Sequence, residues 1–202
     1  MGICTQEYWK FAYICDKMDA GFFYWPACSA CFYMKYETVL ERQIGEMKNI
    51  TVKDIVNATG GFLLCGDEDT PITGLCIDSR KAQAGDLFIP LLGNKVDGHR
   101  FIEPAMERAS ATLTSEHDNV VISEKPFIRV DDTMKALQAI GKDIRGRYDI
   151  PYIGVTGSVG KTTTREMIAA AVGTGRHCFQ TNGNENSQIG VPMTLSRMTD
   201  GY

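Results

Sequence analysis

The sequence predicts an α/β fold on the basis of three observations. Short apolar segments alternate with segments of helical periodicity between residues 51 and 148. A strand, a glycine loop and a helix are predicted in direct succession between residues 150 and 172. The 202 residues are 44% hydrophobic and 23% charged, which is typical of a globular protein with one or two small domains.

Charge and hydropathy argue against several classes of protein. The net charge of −4 gives no electrostatic reason for binding nucleic acid. No apolar run approaches the roughly 20 residues of a membrane span, and charged residues interrupt the first segment, where a signal peptide would have its apolar core. The seven cysteines lack a regular spacing, so we expect reduced thiols. We expect a monomer that binds no nucleic acid and does not insert into a membrane.

Residues 1–46 differ in composition from the rest of the chain. They contain both tryptophans, more than half of the aromatic residues and few glycines. Cys28 and Cys31 have the spacing of a metal or redox pair, but no second pair or nearby histidine completes a site, so a structural or incidental pair is favoured. We interpret residues 1–46 as an extension outside the domains that follow.

Residues 47–131 are predicted to form a small α/β domain. Thr51 can cap a helix over residues 52–58, which Gly60 and Gly61 would end. Apolar segments bounded by turn residues predict strands at residues 62–65, 72–77, 87–91, 111–114 and 127–130, and a helix at residues 101–109.

Residues 132–149 are predicted to form a connecting helix. Asp132 or Thr133 can cap it. Its apolar residues recur at the spacing of one helical face, at Met134, Leu137, Ile140, Ile144 and Tyr148. This helix leads to the apolar residues 150–155, which are predicted to form a strand.

The loop after Val155 has the features of a phosphate-binding loop, although the strict motif has a glycine at Val155 itself, so an ordinary glycine turn is the alternative. Gly157 and Gly160 let the backbone approach an anion closely, and the start of the following helix adds partial positive charge. Lys161 would place an ammonium group on the outer phosphates, and the Thr162 hydroxyl would bind Mg²⁺. We predict that ATP and Mg²⁺ bind here, through Gly157, Ser158, Val159, Gly160, Lys161, Thr162 and Thr163.

A second strand is predicted at residues 177–181, followed by the asparagine-rich segment at residues 182–186. The short amides of Asn184 and Asn186 can bind a sugar, a peptide carboxylate or the water shell of Mg²⁺, and a polar loop rich in turn formers is the alternative. Residues 150–202 are thus predicted to begin a parallel-sheet nucleotide-binding domain. Two strands cannot complete a sheet that is covered on both faces.

Several of these segments resemble the Mur ligases, which build the peptide of the bacterial cell wall. Residues 156–163 are similar to the nucleotide loop of that family, and residues 78–80, 85–90 and 97–101 are similar to its domain for a uridine diphosphate substrate. Residues 182–195 are similar to the corresponding segment of the branch that adds D-alanyl-D-alanine, whereas the tripeptide-forming branch carries Thr-Thr-Pro there.

The resemblance implies an ATP-dependent, amide-forming ligase of peptidoglycan precursor synthesis. The expected substrates are UDP-N-acetylmuramoyl-tripeptide, whose carboxylate would receive the γ-phosphoryl group, and D-alanyl-D-alanine, whose amine would form the amide. The residues implied in substrate binding are Ser79, Arg80, Asn184 and Asn186, and those implied in catalysis are Lys161 and Thr162. An enzyme that uses ATP in this way is expected in the cytoplasm.

The Mur ligases are longer than this chain, and their carbamylated lysine and C-terminal amino-acid domain have no counterpart here. We therefore expect the front part of a ligase, truncated within its nucleotide-binding domain, with little or no ligation by these 202 residues alone. The alternatives are another Mur ligase or a folylpolyglutamate synthase, a non-catalytic nucleotide-binding remnant, and an unrelated phosphate-loop kinase or GTPase.

Overall fold

The computed structural model describes residues 50–93, 96–116, 123–183 and 185–199. The strands found in these ranges are β1 (Ile50–Thr51), β2 (Phe62–Cys65), β3 (Pro71–Ile72), β4 (Gly74–Cys76), β5 (Asp86–Phe88), β6 (Ala111–Thr114) and β7 (Phe127–Arg129). A five-stranded sheet in the described part has the order β2-β7-β6-β5-β4. Its pairings are parallel except for the antiparallel edge pair β2–β7. Strands β1 and β3 form a separate antiparallel pair.

Helices pack on this sheet, and two more follow it in the described part of the chain. In the described ranges they are α1 (Val52–Thr59), α2 (Ile102–Met106), α3 (Thr133–Gly146), α4 (Lys161–Val172) and α5 (Gly190–Leu195). A short 3-10 turn, Ser79–Lys81, follows β4. A second one, Gly98–Phe101, directly precedes α2. A mixed α/β fold with a mostly parallel sheet is therefore confirmed. No helix in the described part of the chain is both long enough and apolar enough to cross a bilayer.

Side-chain alternation along the strands builds a core on each face of the sheet. Leu87 and Phe88 are neighbours on β5, yet they belong to different buried clusters, because successive side chains of a strand point to opposite faces. One cluster contains the buried residues of α1 and α3, including Ile55 and Leu137. The other contains those of α2, including Ala105. The sheet is thus covered by helices on both faces, as parallel sheets are.

The predicted ends of α1 and the predicted start of α3 are confirmed, whereas α3 ends at Gly146, before the predicted residue 149. Thr51 and Asp54 form a capping box at the start of α1, in which the Thr51 N–H donates to the Asp54 carboxylate at 2.8 Å. Gly60 ends α1 in the left-handed conformation with a φ of 66°. Asp132 caps α3 by accepting bonds from the N–H groups of Met134 and Lys135 at 2.8 and 3.0 Å.

Several predicted elements are shorter or divided in the structure. The strand predicted at residues 72–77 is split because the Thr73 N–H donates to the Gly85 carbonyl, so β3 pairs with β1 while β4 pairs with β5. The strands predicted at residues 87–91 and 127–130 end earlier, and the helix predicted at residues 101–109 becomes a 3-10 turn followed by α2.

The two strands predicted in the nucleotide-binding half are wrong. Residues 150–155 and 177–181 form no ladder in the part of the chain that the structure describes. A strand needs a neighbouring strand to satisfy its backbone N–H and C=O groups, and an apolar run alone does not supply one. Ile153 is accordingly 63% exposed. The predicted α4 does form, from Lys161 to Val172.

Helix α5 fixes the last described segment to the first domain. It packs against α3, where Gly141 leaves room for Pro192. Met198 is buried, and its carbonyl accepts a bond from the Tyr148 hydroxyl at 2.9 Å. The domain boundaries at residues 131 and 149 stay a prediction, and the extension proposed for residues 1–46 lies outside the described residues.

Candidate nucleotide and substrate sites

The glycine loop leads directly into α4. Gly160 precedes Lys161, the first helical residue, and takes the left-handed conformation with a φ of 77°. A side chain at this position would be strained, whereas glycine adopts the conformation readily. The Thr164 N–H donates to the Gly160 carbonyl at 2.9 Å, which is the first hydrogen bond of the helix. The junction of loop and helix therefore forms where the sequence predicts it.

The first turn of α4 has N–H groups available for an anion. The first N–H groups of any α-helix have no carbonyl partner within the helix, and in α4 no side chain caps them. The loop before them is open to solvent, since Val159 is 87% exposed. The amides of Lys161, Thr162 and Thr163 thus combine with the helix dipole to favour negative charge at this point.

Lys161 places its ammonium group against the loop. Its Nζ donates to the Gly157 carbonyl at 2.6 Å, across the residues Ser158 to Gly160. This bond holds the Lys161 ammonium group beside the loop that leads into the uncapped first turn. A phosphate oxygen would be a charge-assisted acceptor for the same ammonium group.

Thr162 is exposed in the first turn of α4, and so are the neighbouring hydroxyl residues Ser158, in the loop, and Thr163. A hydroxyl oxygen is a hard ligand, and Mg²⁺ bound to nucleotides takes few protein ligands and keeps several waters and phosphate oxygens. The Thr162 hydroxyl is one of the groups in this turn that could supply such a ligand.

Ser79 and Arg80 lie in the turn after β4, as predicted. The Asp78 carboxylate accepts bonds from the Arg80 backbone N–H at 3.2 Å and from its guanidinium at 2.9 and 2.8 Å. The Arg80 guanidinium and N–H lower the pKa of Asp78 to about 2. The ion pair is therefore intact at neutral pH, and it orients an arginine whose side chain is 86% exposed.

A groove of about 280 Å³ begins at these residues. It is lined by Ser79, Arg80, Pro104, Glu107 and Arg108. The sequence prediction did not single out the last three. The topology offers a signal for these residues, because α2 follows β5 and packs beside the turn after the neighbouring strand β4. None of the glycine-loop residues lines this groove.

The asparagine-rich segment is only partly described. Asn184 lies outside the described residues, and Asn186 is exposed. Between them, the Glu185 carboxylate accepts a bond from the Thr194 hydroxyl at 2.9 Å and pairs with Arg197. Glu185 and Arg197 were not predicted to matter, and they anchor this segment to α5.

Arg165 joins α4 to the turn before the asparagine-rich segment. Its Nη1 donates to the Thr181 hydroxyl at 3.0 Å and to the Gly183 carbonyl at 2.9 Å. The sequence prediction missed this contact. The available signal was the spacing, since Arg165 follows Lys161 by four residues and lies on the same helical face.

Asp97 and His99 shape the loop that precedes α2. The Asp97 carboxylate accepts bonds from the His99 N–H at 2.9 Å and from its Nδ1 at 2.7 Å. These bonds lower the pKa of Asp97 to about 2. The Ser115 N–H donates to His99 Nε2 at 3.0 Å. Although Glu116 lies close enough to complete a metal-binding group, both ring nitrogens are already engaged.

Two family models match the chain. Residues 71–145 match the description "Mur ligase family, catalytic domain", and residues 155–202 match "Mur ligase middle domain". A curated relative from Bacillus subtilis, named UDP-N-acetylmuramoyl-tripeptide–D-alanyl-D-alanine ligase, is 41% identical over 74% of this chain and 33% of its own length.

Solved structures with the same fold carry the same type of name. MurF from Acinetobacter baumannii superposes with a TM-score of 0.69 and 29% identity, covering 77% of this chain and 34% of that one. MurF ligase from Thermotoga maritima in complex with ADP gives a TM-score of 0.57 at 29% identity, over 63% of this chain and 30% of that one. The chain spans about a third of the length of the curated relatives that it matches.

Proposed function

Because the chain belongs to the Mur ligase family, we propose that it is the front part of a MurF-type ligase that joins D-alanyl-D-alanine to UDP-N-acetylmuramoyl-tripeptide. The observation that carries the proposal is the uncapped first turn of α4 behind Gly160, with the Lys161 ammonium beside it. This arrangement suits the phosphates of ATP. The names of the relatives and of the solved structures support the choice of substrates.

The loop residues have separate roles in this proposal. The backbone N–H groups of residues 157–163 bind the phosphate oxygens, and Lys161 neutralises charge on the outer phosphates. The Thr162 hydroxyl would hold Mg²⁺, which would reduce the negative charge of the phosphates. These residues act by position and charge, since phosphoryl transfer requires little covalent help from the protein.

The proposed reaction forms an amide in two steps. The tripeptide carboxylate attacks the γ-phosphorus of ATP, which gives an acyl phosphate and releases ADP. The amine of D-alanyl-D-alanine then attacks the acyl carbon, inorganic phosphate leaves, and the amine loses a proton. We propose that the groove at Ser79 and Arg80 holds the uridine diphosphate end, and that Asn184 and Asn186 contact the peptide end. We further propose a monomer in the cytoplasm, where ATP is available.

Calorimetric titration of the chain with MgATP tests the nucleotide site. We expect saturable binding of one nucleotide. Lys161→Met should weaken it by about 10- to 100-fold, because a charge-assisted hydrogen bond to phosphate is lost.

Lys142→Met is the matched control for this substitution. Lys142 is exposed on α3, and its loss changes the net charge equally. Equal affinities of the Lys161 and Lys142 variants, or no binding by the unmodified chain, would contradict the proposal.

A further inference from the structure

The side chain of Arg165 links helix α4 to the turn Thr181–Gly183. The proposed reaction assigns no role to this residue. We propose that Arg165 is a positioning residue that couples the nucleotide loop to this turn, and thereby sets the start of the asparagine-rich segment. The inference rests on the proposed function, because it takes the glycine loop to be the nucleotide site. The observations behind it are the contacts of Arg165 and the way each end of the segment is held.

Arg165 is placed to follow any movement of the nucleotide loop. It lies one helical turn after Lys161 on the same face of α4, about 6 Å farther along the axis. A helix transmits a displacement of its first turn because its backbone bonds keep it stiff. None of the residues of α4 is buried, so the helix is not fixed by a core of its own among the described residues.

The guanidinium holds the turn on both sides of Asn182. One nitrogen, Nη1, donates to the Thr181 hydroxyl at 3.0 Å and to the Gly183 carbonyl at 2.9 Å. Gly183 has a φ of 50°, so its carbonyl is presented by a tight left-handed turn. The position of these residues therefore depends on where Arg165 stands.

Two buried polar atoms near the link have no hydrogen-bond partner within the described ranges. Arg165 Nε and Gln180 Oε1 are both buried, and neither has a partner among the described residues. The first is a donor and the second an acceptor, and they belong to the two elements that Arg165 joins. Buried polar atoms of this kind are normally paired. Any rearrangement of the link that gave these two atoms partners would be stabilised.

The far end of the segment is held elsewhere. Glu185 is bound by Thr194 and Arg197 at the end of α5, and α5 packs on α3 of the first domain. The first residues of the segment are bonded to α4 through Arg165. Its last residues are bonded to α5, which packs on the first domain. A movement of α4 on nucleotide binding would therefore change the conformation of the turn rather than carry the whole segment with it.

Hydrogen exchange measured by mass spectrometry tests the coupling, with MgADP as the probe. In the unmodified chain, saturating MgADP should slow exchange in a peptide covering residues 177–183 by at least about fivefold, the lower end of typical coupling between sites. Arg165→Met should abolish this protection. Its affinity for MgADP should stay within about threefold, because the loop amides and Lys161 remain.

Arg176→Met is the control for charge, since Arg176 is exposed just beyond α4, and it should keep the full protection. A peptide from β6 reports whether each variant is folded. If the Met variant does not fold, Arg165→Gln takes its place, because its shorter, neutral side chain lacks the charged nitrogen that donates to both acceptors, and it should lose most of the protection.

The outcomes separate this inference from the function on which it rests. If the Arg165 variant keeps the protection, or if the unmodified chain binds MgADP without protecting residues 177–183, the coupling is overturned and the nucleotide site stands. If the unmodified chain does not bind MgADP, the proposed function fails and the coupling falls with it.

Discussion

Single residues at the loop fix the geometry on which the proposed chemistry depends. Gly160 has a backbone conformation that glycine adopts at little cost, and Lys161 bonds across the loop to Gly157. Both residues were identified from sequence because their types report directly on backbone freedom and charge. Arg165 was not identified, because its role depends on which distant turn comes within reach of its guanidinium.

Arg80 is the single residue that best tests the proposed substrate groove. Arg80→Met should weaken binding of UDP-N-acetylmuramoyl-tripeptide by about tenfold, because one charge-assisted contact to the diphosphate is removed. Asp78 would still cap the turn through the backbone N–H of residue 80. The measurement is a calorimetric titration at pH 7, where the low pKa of Asp78 keeps the ion pair of the unmodified chain intact.

Arg100→Met serves as the comparison for Arg80. Arg100 is exposed and does not line the groove. If the two variants bind the uridine substrate equally well, the groove is not the site of its diphosphate.

At the scale of elements, local signals predicted α1, α3 and α4, whereas they missed α5 and wrongly predicted two strands after residue 149. Caps such as Thr51 and Asp132 act within a few residues, so the sequence around them contains the information that is needed. A strand depends on a partner that is distant in sequence. The apolar residues 150–155 have no such partner among the described residues, and their strand does not form.

The contact between α3 and α5 is another feature that sequence did not predict. A Cβ added at Gly141 would lie 2.9 Å from the Pro192 Cβ and 3.0 Å from its Cα. Since the proline ring is attached to the backbone on both sides, only a shift of α5 could relieve the contact.

Gly141→Ala should therefore destabilise the chain by about 1–3 kcal/mol, the usual cost of overpacking, despite the better helix propensity of alanine. Chemical denaturation measures the difference. Gly146→Ala is the control on the same helix, since a Cβ there meets nothing within 4 Å. Equal stability of the two variants would show that α5 does not pack on α3 as described.

At the scale of the whole molecule, the residues up to Gly146 form a complete sheet, whereas the described residues after Asp149 form no ladder. The sheet is mostly parallel and is covered on both faces. The later residues include α4 and its loop, and Ile153 and Met167 among them are 63% and 62% exposed. The sequence predicted the fold class and the loop from local patterns. Predicting the groove residues Glu107 and Arg108 also requires knowing that α2 packs against the turn after β4.

The most direct test of the central claim is an amide ¹H–¹⁵N titration of the chain with MgADP. The claim is that the backbone between Gly157 and Thr163 binds the nucleotide phosphates. We predict that the largest shifts occur at the amides of Gly157 and Gly160 to Thr163, and that in Lys161→Met they require about 10- to 100-fold more MgADP. Saturation with MgADP that leaves these amides unchanged, or that shifts only amides of the five-stranded sheet, would contradict the account.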